Sequence, residues 1–184
     1  MINRDEAIVL LKKYLRDEDN IKYSQVLEIV LQEIAQKLER NKELWGLTGL
    51  LHNLDYEYTR SEPENRGTLS AQILEELLPN RCVNAIKANN YMHTDYIPST
   101  ALDKSLIAAD TATRLILVIA RTTPTKKIAN VDLNLILEKF NDSSFGAKYN
   151  RNKIQLCQDI GIGLKNFLFL ILSTLQENSA KLDI

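Results

Sequence analysis

Only two histidines, His52 and His93, occur in the 184 residues, so metal or acid–base chemistry would have to combine them with carboxylates. His52 stands in Leu50-Leu51-His52-Asn53-Leu54-Asp55-Tyr56-Glu57, a polar group at the end of an apolar run. A rigid helix opening its last turn to solvent presents a ligand in this way. A histidine that merely satisfies the closing carbonyls and the helix dipole would look the same. Asp110 is the second informative position, one carboxylate inside Leu106-Ile107-Ala108-Ala109-Asp110-Thr111-Ala112. A carboxylate buried with no partner is costly, so it must be paired, metal-bound or at a pocket wall. Arg114, one turn later, offers an ordinary i to i+4 ion pair. A metal set of His52, Asp55, Asp110 and His93 can be written down. Nothing in the spacing requires it, and His93, in Tyr91-Met92-His93-Thr94-Asp95, reads as an exposed loop residue. Cys82 and Cys157 form no CxxC pair and have no histidine beside them. They read as buried thiols in a reducing compartment.

The elements that must position these groups are helices. Leu and Ile dominate, Gly and Pro number 6 and 4, and no stretch alternates with period two for long. Asn3 before Asp5 and Glu6 starts a first helix, with Ile8, Leu11 and Leu15 on one face. A second is expected after Asp19-Asn20, carrying Val26, Leu27, Val30 and Ile34 inward. A third begins after Asn41 and ends near His52–Asp55. Residues Tyr56 to Gly67 read as a loop. Further helices are expected over Thr68–Leu77, Arg81–Asn89, Leu102–Ala120, Asp132–Phe140, Asn150–Asp159 and Leu164–Leu175, with loops at Asn90–Thr100 and Arg121–Asn130. The expected fold is all-α, one helical bundle domain spanning 1–184.

A formal net charge of -1, with 26% charged residues, gives no electrostatic case for a nucleic-acid or membrane partner. The start, Met1-Ile2-Asn3-Arg4-Asp5-Glu6, has no apolar signal region, and the apolar run Phe167–Leu172 is too short to span a bilayer. A cytoplasmic protein is expected, with a homo-oligomer left open. Gly161-Ile162-Gly163 is not a dinucleotide fingerprint. Arg66, Lys126, Lys127, Lys139 and Arg151 are cations that would suit a phosphate, although a solvated surface explains each lysine as well.

The stretch from Glu43 to Glu57, with its LLHxxDYE string, resembles the central motif of the HD-domain metal-dependent phosphohydrolases. Leu106 to Thr111 resembles the helix carrying that family's distant aspartate. Arg121 to Lys127, Lys139-Phe140, Phe145-Gly146-Ala147 and Asn150-Arg151 are similar to the C-terminal half of small bacterial members. The resemblance covers roughly 20–176 and implies an HD-domain-like helical bundle. It also implies a divalent metal (Mn, Fe, Ni, Zn or Mg) held by an early histidine, a His–Asp dyad and the distant aspartate.

The departures decide what function it implies. The early histidine is similar in position to Tyr23, the dyad is His52-Asn53, and only Asp110 stands unchanged. Other family histidines fall near Arg66 and Asn89. Asn53 replaces a carboxylate with a neutral amide, and a phenol with a pKa near ~10 is a poor ligand at neutral pH. Losing a second-shell partner alone costs about 10–100-fold, so losing two direct ligands costs more. His52 and Asp110 then form a remnant metal site, with Asp55, Arg66 and Asn89 around a pocket. In the family a bound ion polarises a phosphate oxygen and activates water. The leading expectation is a degenerate member without ordinary hydrolase activity that keeps a pocket for a small phosphate-bearing or nucleotide-like ligand. Two alternatives stand beside it: an active phosphohydrolase with a rearranged site, and a helical structural or interaction protein.

Overall fold

The computed structural model describes residues 1–182, and all regular structure among them is helical. The helices are α1 (Arg4–Tyr14), α2 (Glu18–Lys37), α3 (Lys42–Leu51), α4 (Thr68–Leu74), α5 (Asn80–Asn89) and α6 (Ala101–Thr122). They continue with α7 (Leu133–Asn141), α8 (Arg151–Gln155), α9 (Leu164–Glu177) and α10 (Ser179–Leu182). The fold class expected from the sequence is therefore the one observed. By packing the chain forms two compact units, Met1–Leu106 and from Ile107 onward, the boundary falling within α6.

In the first unit, short polar residues start the helices. Asn3 Oδ1 accepts from the Glu6 amide while Glu6 reaches back to the Asn3 amide, a capping box that opens α1. Asp17 accepts from the Asp19 amide and starts α2 at Glu18. The helix thus begins earlier than expected, because the carboxylate of Asp17 and not the Asp19-Asn20 pair satisfies its first amides. Asn41 caps α3 through the Leu44 amide. Leu11, Leu27, Leu31, Ile34, Leu47 and Leu50 are completely or almost completely buried and make the core of α1 to α3. Arg4 forks onto the buried Glu28 of α2 at 2.6 and 3.0 Å, which fixes α1 to α2 without leaving a carboxylate unpaired.

Helices α2 and α3 come into close backbone contact. A Cβ built on Gly49 would lie 2.7 Å from the carbonyl oxygen of Leu27. Only a residue without a side chain lets the two backbones come so near.

The corner between α1 and α2 is held by Glu57. Its carboxylate accepts from the Arg16 and Asp17 amides at 3.0–3.1 Å and from Asn20 Nδ2 at 3.0 Å. Partial burial pushes the Glu57 carboxyl up, but the bonds from Asn20, Asp17 and Arg16, with Arg60 nearby, outweigh it and hold the group below its usual range. A carboxyl lowered on folding adds stability that is complete above the unfolded value and disappears as the pH falls through the folded one. The Arg16 and Asp17 amides are therefore expected to lose hydrogen-exchange protection on acidification through and below the ordinary carboxylate range. Glu57→Gln should flatten that dependence; an unchanged pH profile in the variant would rule out Glu57 as the tie.

In the second unit, α7 and α9 pack together with Ile136, Phe167, Leu168 and Ile171 fully buried. Gln176 Nε2 donates to the carbonyls of Ile128 and Val131, fastening α9 to the turn before α7. The run Phe167–Leu172 is a core stretch with Phe169 facing out, 56% exposed. The helix expected over Asn150–Asp159 is shorter. It stops at Gln155 and gives way to a 3-10 turn, Gln158–Ile160, because Gly161 adopts the left-handed conformation (φ 81°) and the Ile162 amide closes back on the Cys157 carbonyl. Among the described residues, no single helix is long and apolar enough to cross a membrane.

Candidate functional site

His52 is the C-cap of α3 and is 2% exposed. Its Nδ1 lies 2.7 Å from the Gly49 carbonyl oxygen. A carbonyl can only accept, so Nδ1 carries a proton and donates this bond, the tautomer that places the lone pair of a neutral imidazole on Nε2. The plainer sequence expectation for this residue holds, while the last turn of α3 does not open His52 to solvent. One nitrogen satisfies a closing carbonyl of the helix, and that bond fixes the tautomer in the way metal-binding histidines are fixed.

The Tyr23 ring, half-buried on α2, meets the His52 imidazole edge-on, with centroids 6.3 Å apart and planes at 62°. Asn53 follows His52 and is buried, 4% exposed. The close seating of α3 on α2 at Gly49 is what brings positions 23 and 52 together.

Asp55 does different work from that expected. Its Oδ2 accepts from the Gly67 amide at 2.7 Å and the Ser70 amide at 3.0 Å, while its own amide donates to Ser70 Oγ at 3.0 Å. This is the reciprocal pattern of a capping box, built with a residue from a distant loop, and it starts α4. Oδ2 is committed to backbone amides, which gives Asp55 a structural task that its type and position in the sequence do not announce. Its Oδ1 is buried without a hydrogen-bond partner among the described residues. Gly67 takes a left-handed conformation (φ 87°), and a Cβ there would stand 2.9 Å from the Ile86 carbonyl oxygen.

Arg66 precedes that glycine. Its guanidinium lies over the Tyr56 ring, 4.5 Å from the centroid, and its Nε is buried with no hydrogen-bond partner among the described residues. Asn89 is half-buried in the last turn of α5. The next residue, Asn90, which the sequence reading passed over, has the clearer task. Its Nδ2 donates to the carbonyls of Pro63, Glu64 and Arg66 at 3.0–3.1 Å, holding the loop from below. An asparagine just past a helix is an ordinary turn residue, so only the fold distinguishes it. His93 lies exposed in the loop after α5.

In the second unit, Asp110 on α6 accepts from Arg114 Nε at 3.0 Å, the i to i+4 pair that the sequence offered as its simplest explanation. Lys153 of α8 also lies in its field. Burial lowers the Lys153 pKa, and the Asp110 charge works against that shift. Lys153 was not singled out from the sequence, where it is one lysine among many.

The cations proposed for a phosphate divide by use. Lys126 and Lys127 are exposed. Lys139 lies 5.7 Å from the Phe145 ring centroid and 3.0 Å from Glu138. Arg151 is consumed by the fold. Its Nε donates to Phe140 O, Nη1 to Gly146 O and Tyr149 O, and Nη2 to Lys139 O, Asp142 O and Phe145 O. The phosphate-binding role written for Arg151 is corrected accordingly, since its donors are spent on six backbone carbonyls.

Cys82 and Cys157 are buried free thiols. Burial raises both, Cys157 to about 11, so neither is a nucleophile at neutral pH. Among the described residues, no three His, Cys, Asp or Glu side chains gather into a group that could hold a metal ion. No protein-family model matches this chain, and neither a curated protein nor a solved structure matches it.

Proposed function

We propose that this chain is a degenerate relative of the HD-domain phosphohydrolases that does not perform ordinary metal-dependent hydrolysis and binds a small phosphate-bearing or nucleotide-like ligand. The observation that carries the reading is the meeting of Tyr23 and His52 across α2 and α3. The resemblance assigns the family's first ligand and its dyad to these positions, and side chains so distant in sequence do come ring to ring. One of them is a phenol where an imidazole is expected, and the buried neighbour Asn53 is a neutral amide where a carboxylate is expected. Two strong donors are thereby replaced by weak ones.

Protein purified without chelator is expected to carry well under one metal per chain by elemental analysis. Tyr23→His combined with Asn53→Asp should restore binding, with affinity for Mn2+ or Ni2+ raised at least ~100-fold in a calorimetric titration. One tightly held metal per native chain, removed by His52→Ala, would overturn the proposal.

A second reading, a hydrolase with a rearranged site, draws on the fixed tautomer of His52, which directs the lone pair to Nε2. Turnover of phosphate esters that vanishes in His52→Ala and Asp110→Ala would favour it.

A further inference from the structure

Arg66 differs from the other arginines that the fold puts to use. Arg4 forks onto Glu28, Arg114 pairs with Asp110, and Arg151 holds six carbonyls. The Arg66 guanidinium makes no hydrogen bond or ion pair among the described residues, although the residue is half-buried and its Nε is fully screened from solvent. A screened N–H without an acceptor is costly and asks for one.

The position of the group is nonetheless fixed. Its backbone is gripped by Asn90 Nδ2 at its carbonyl and by Pro63 O at its amide, and its Cζ lies over the Tyr56 ring, 4.5 Å from the centroid. Stacking on an aromatic face constrains a guanidinium while leaving its edge available. Acids on its own loop do not claim it. Glu62 is engaged by Asn65 at 2.7 Å, Glu64 is exposed, and Asp55 Oδ2 is bound by the Gly67 and Ser70 amides. A cation that is oriented, partly desolvated and unspent suits a planar or tetrahedral oxyanion, received through two parallel N–H donors.

We infer that Arg66, seated on Tyr56, is the anchor for the phosphate group of a small ligand. This rests on the ligand-binding reading above and names the residue and the group that it would grip.

The test follows the Arg66 Nε–Hε resonance, identified by its disappearance in Arg66→Ala, during titration with inorganic phosphate and then with a nucleoside monophosphate. Chloride at matched ionic strength is the control. A saturable shift with both phosphates and none with chloride is expected. Arg66→Lys keeps the charge but loses the fork, and in calorimetric titrations with the same nucleoside monophosphate it should bind about tenfold more weakly than the native chain while leaving the circular dichroism spectrum unchanged. If Arg66→Ala fails to fold, the native titration and the lysine variant still decide. A response equal to that with chloride, or undiminished affinity in Arg66→Lys, would overturn the inference. Its failure is separable from that of the functional reading. Phosphate at Arg66 together with a tightly bound native metal removes the reading and keeps the anchor, whereas no metal and no phosphate at Arg66 does the reverse.

Discussion

Arg151→Ala is expected to destabilise the second unit by about 3–5 kcal/mol, among the largest effects of any single substitution in this chain. The reason is the number of acceptors that depend on one side chain. The guanidinium of Arg151 serves carbonyls of Lys139, Phe140, Asp142, Phe145, Gly146 and Tyr149 at 2.5–3.3 Å, and these lie at the end of α7 and along the connection to α8. Each hydrogen bond from a charged donor is worth roughly 1.5–3 kcal/mol when made. Water reaches a part-buried site and replaces some of them, so the sum is heavily discounted. Lysine is a poor substitute, because one ammonium offers three donors from a single point and cannot spread across six oxygens. The check is the unfolding midpoint. Arg151→Ala and Arg151→Lys should both lower it by on the order of 10 °C, with the Phe145 and Tyr149 resonances shifting most. A midpoint within a degree or two of the native one would show that the carbonyls are satisfied as well by water.

Gly49→Ala is the second large effect. The new methyl would stand 2.7 Å from the Leu27 carbonyl oxygen and 3.0 Å from its carbon. Backbone cannot swing aside as a side-chain end can, so α3 must lift from α2. Overpacking of this kind costs about 1–3 kcal/mol, against which alanine returns up to ~1 kcal/mol in helix propensity. The functional consequence should exceed the thermodynamic one, because Gly49 also supplies the carbonyl that orients His52 and sets its distance from Tyr23. The His52 ring resonances are expected to move in Gly49→Ala. Gly46→Ala makes a useful contrast. Its methyl meets the Gln32 side chain at 2.7–3.1 Å, a half-buried group on α2 that can rotate. It should perturb stability and the His52 signals far less; equal effects at both positions would mean that backbone contact is not the controlling feature.

Periodicity and capping residues made the helical framework legible in the sequence, because Asn3, Asn41 and Asp132 each announce a helix that the structure contains. What escaped was the work done at long range by polar side chains. Asp55 was legible as an acid beside a histidine but not as the cap of a helix starting at Thr68. Arg151 was legible as a cation but not as a clamp, and Asn90 was not legible at all. In each case the partner is a backbone group, which every residue has, so no pairing of residue types marks the contact. The meeting of Tyr23 with His52 has the same limit, since it depends on how closely two helices approach, and that is set by a glycine between them.

The stretch from Tyr56 to Arg66 shows how such contacts shape the mechanical character of the molecule. Glu57 fastens its beginning to the α1–α2 corner, Asn90 catches three carbonyls near its end, and Asp55 grips the amide just beyond it. In an engineer's terms the segment is a bracket pinned at separate joints. Short internal turns, such as the Thr59 amide to the Asp55 carbonyl and the Arg66 amide to the Pro63 carbonyl, give it shape, while the long-range ties give it a place. Loss of one tie should therefore loosen the joint that it holds and leave the helices around it intact.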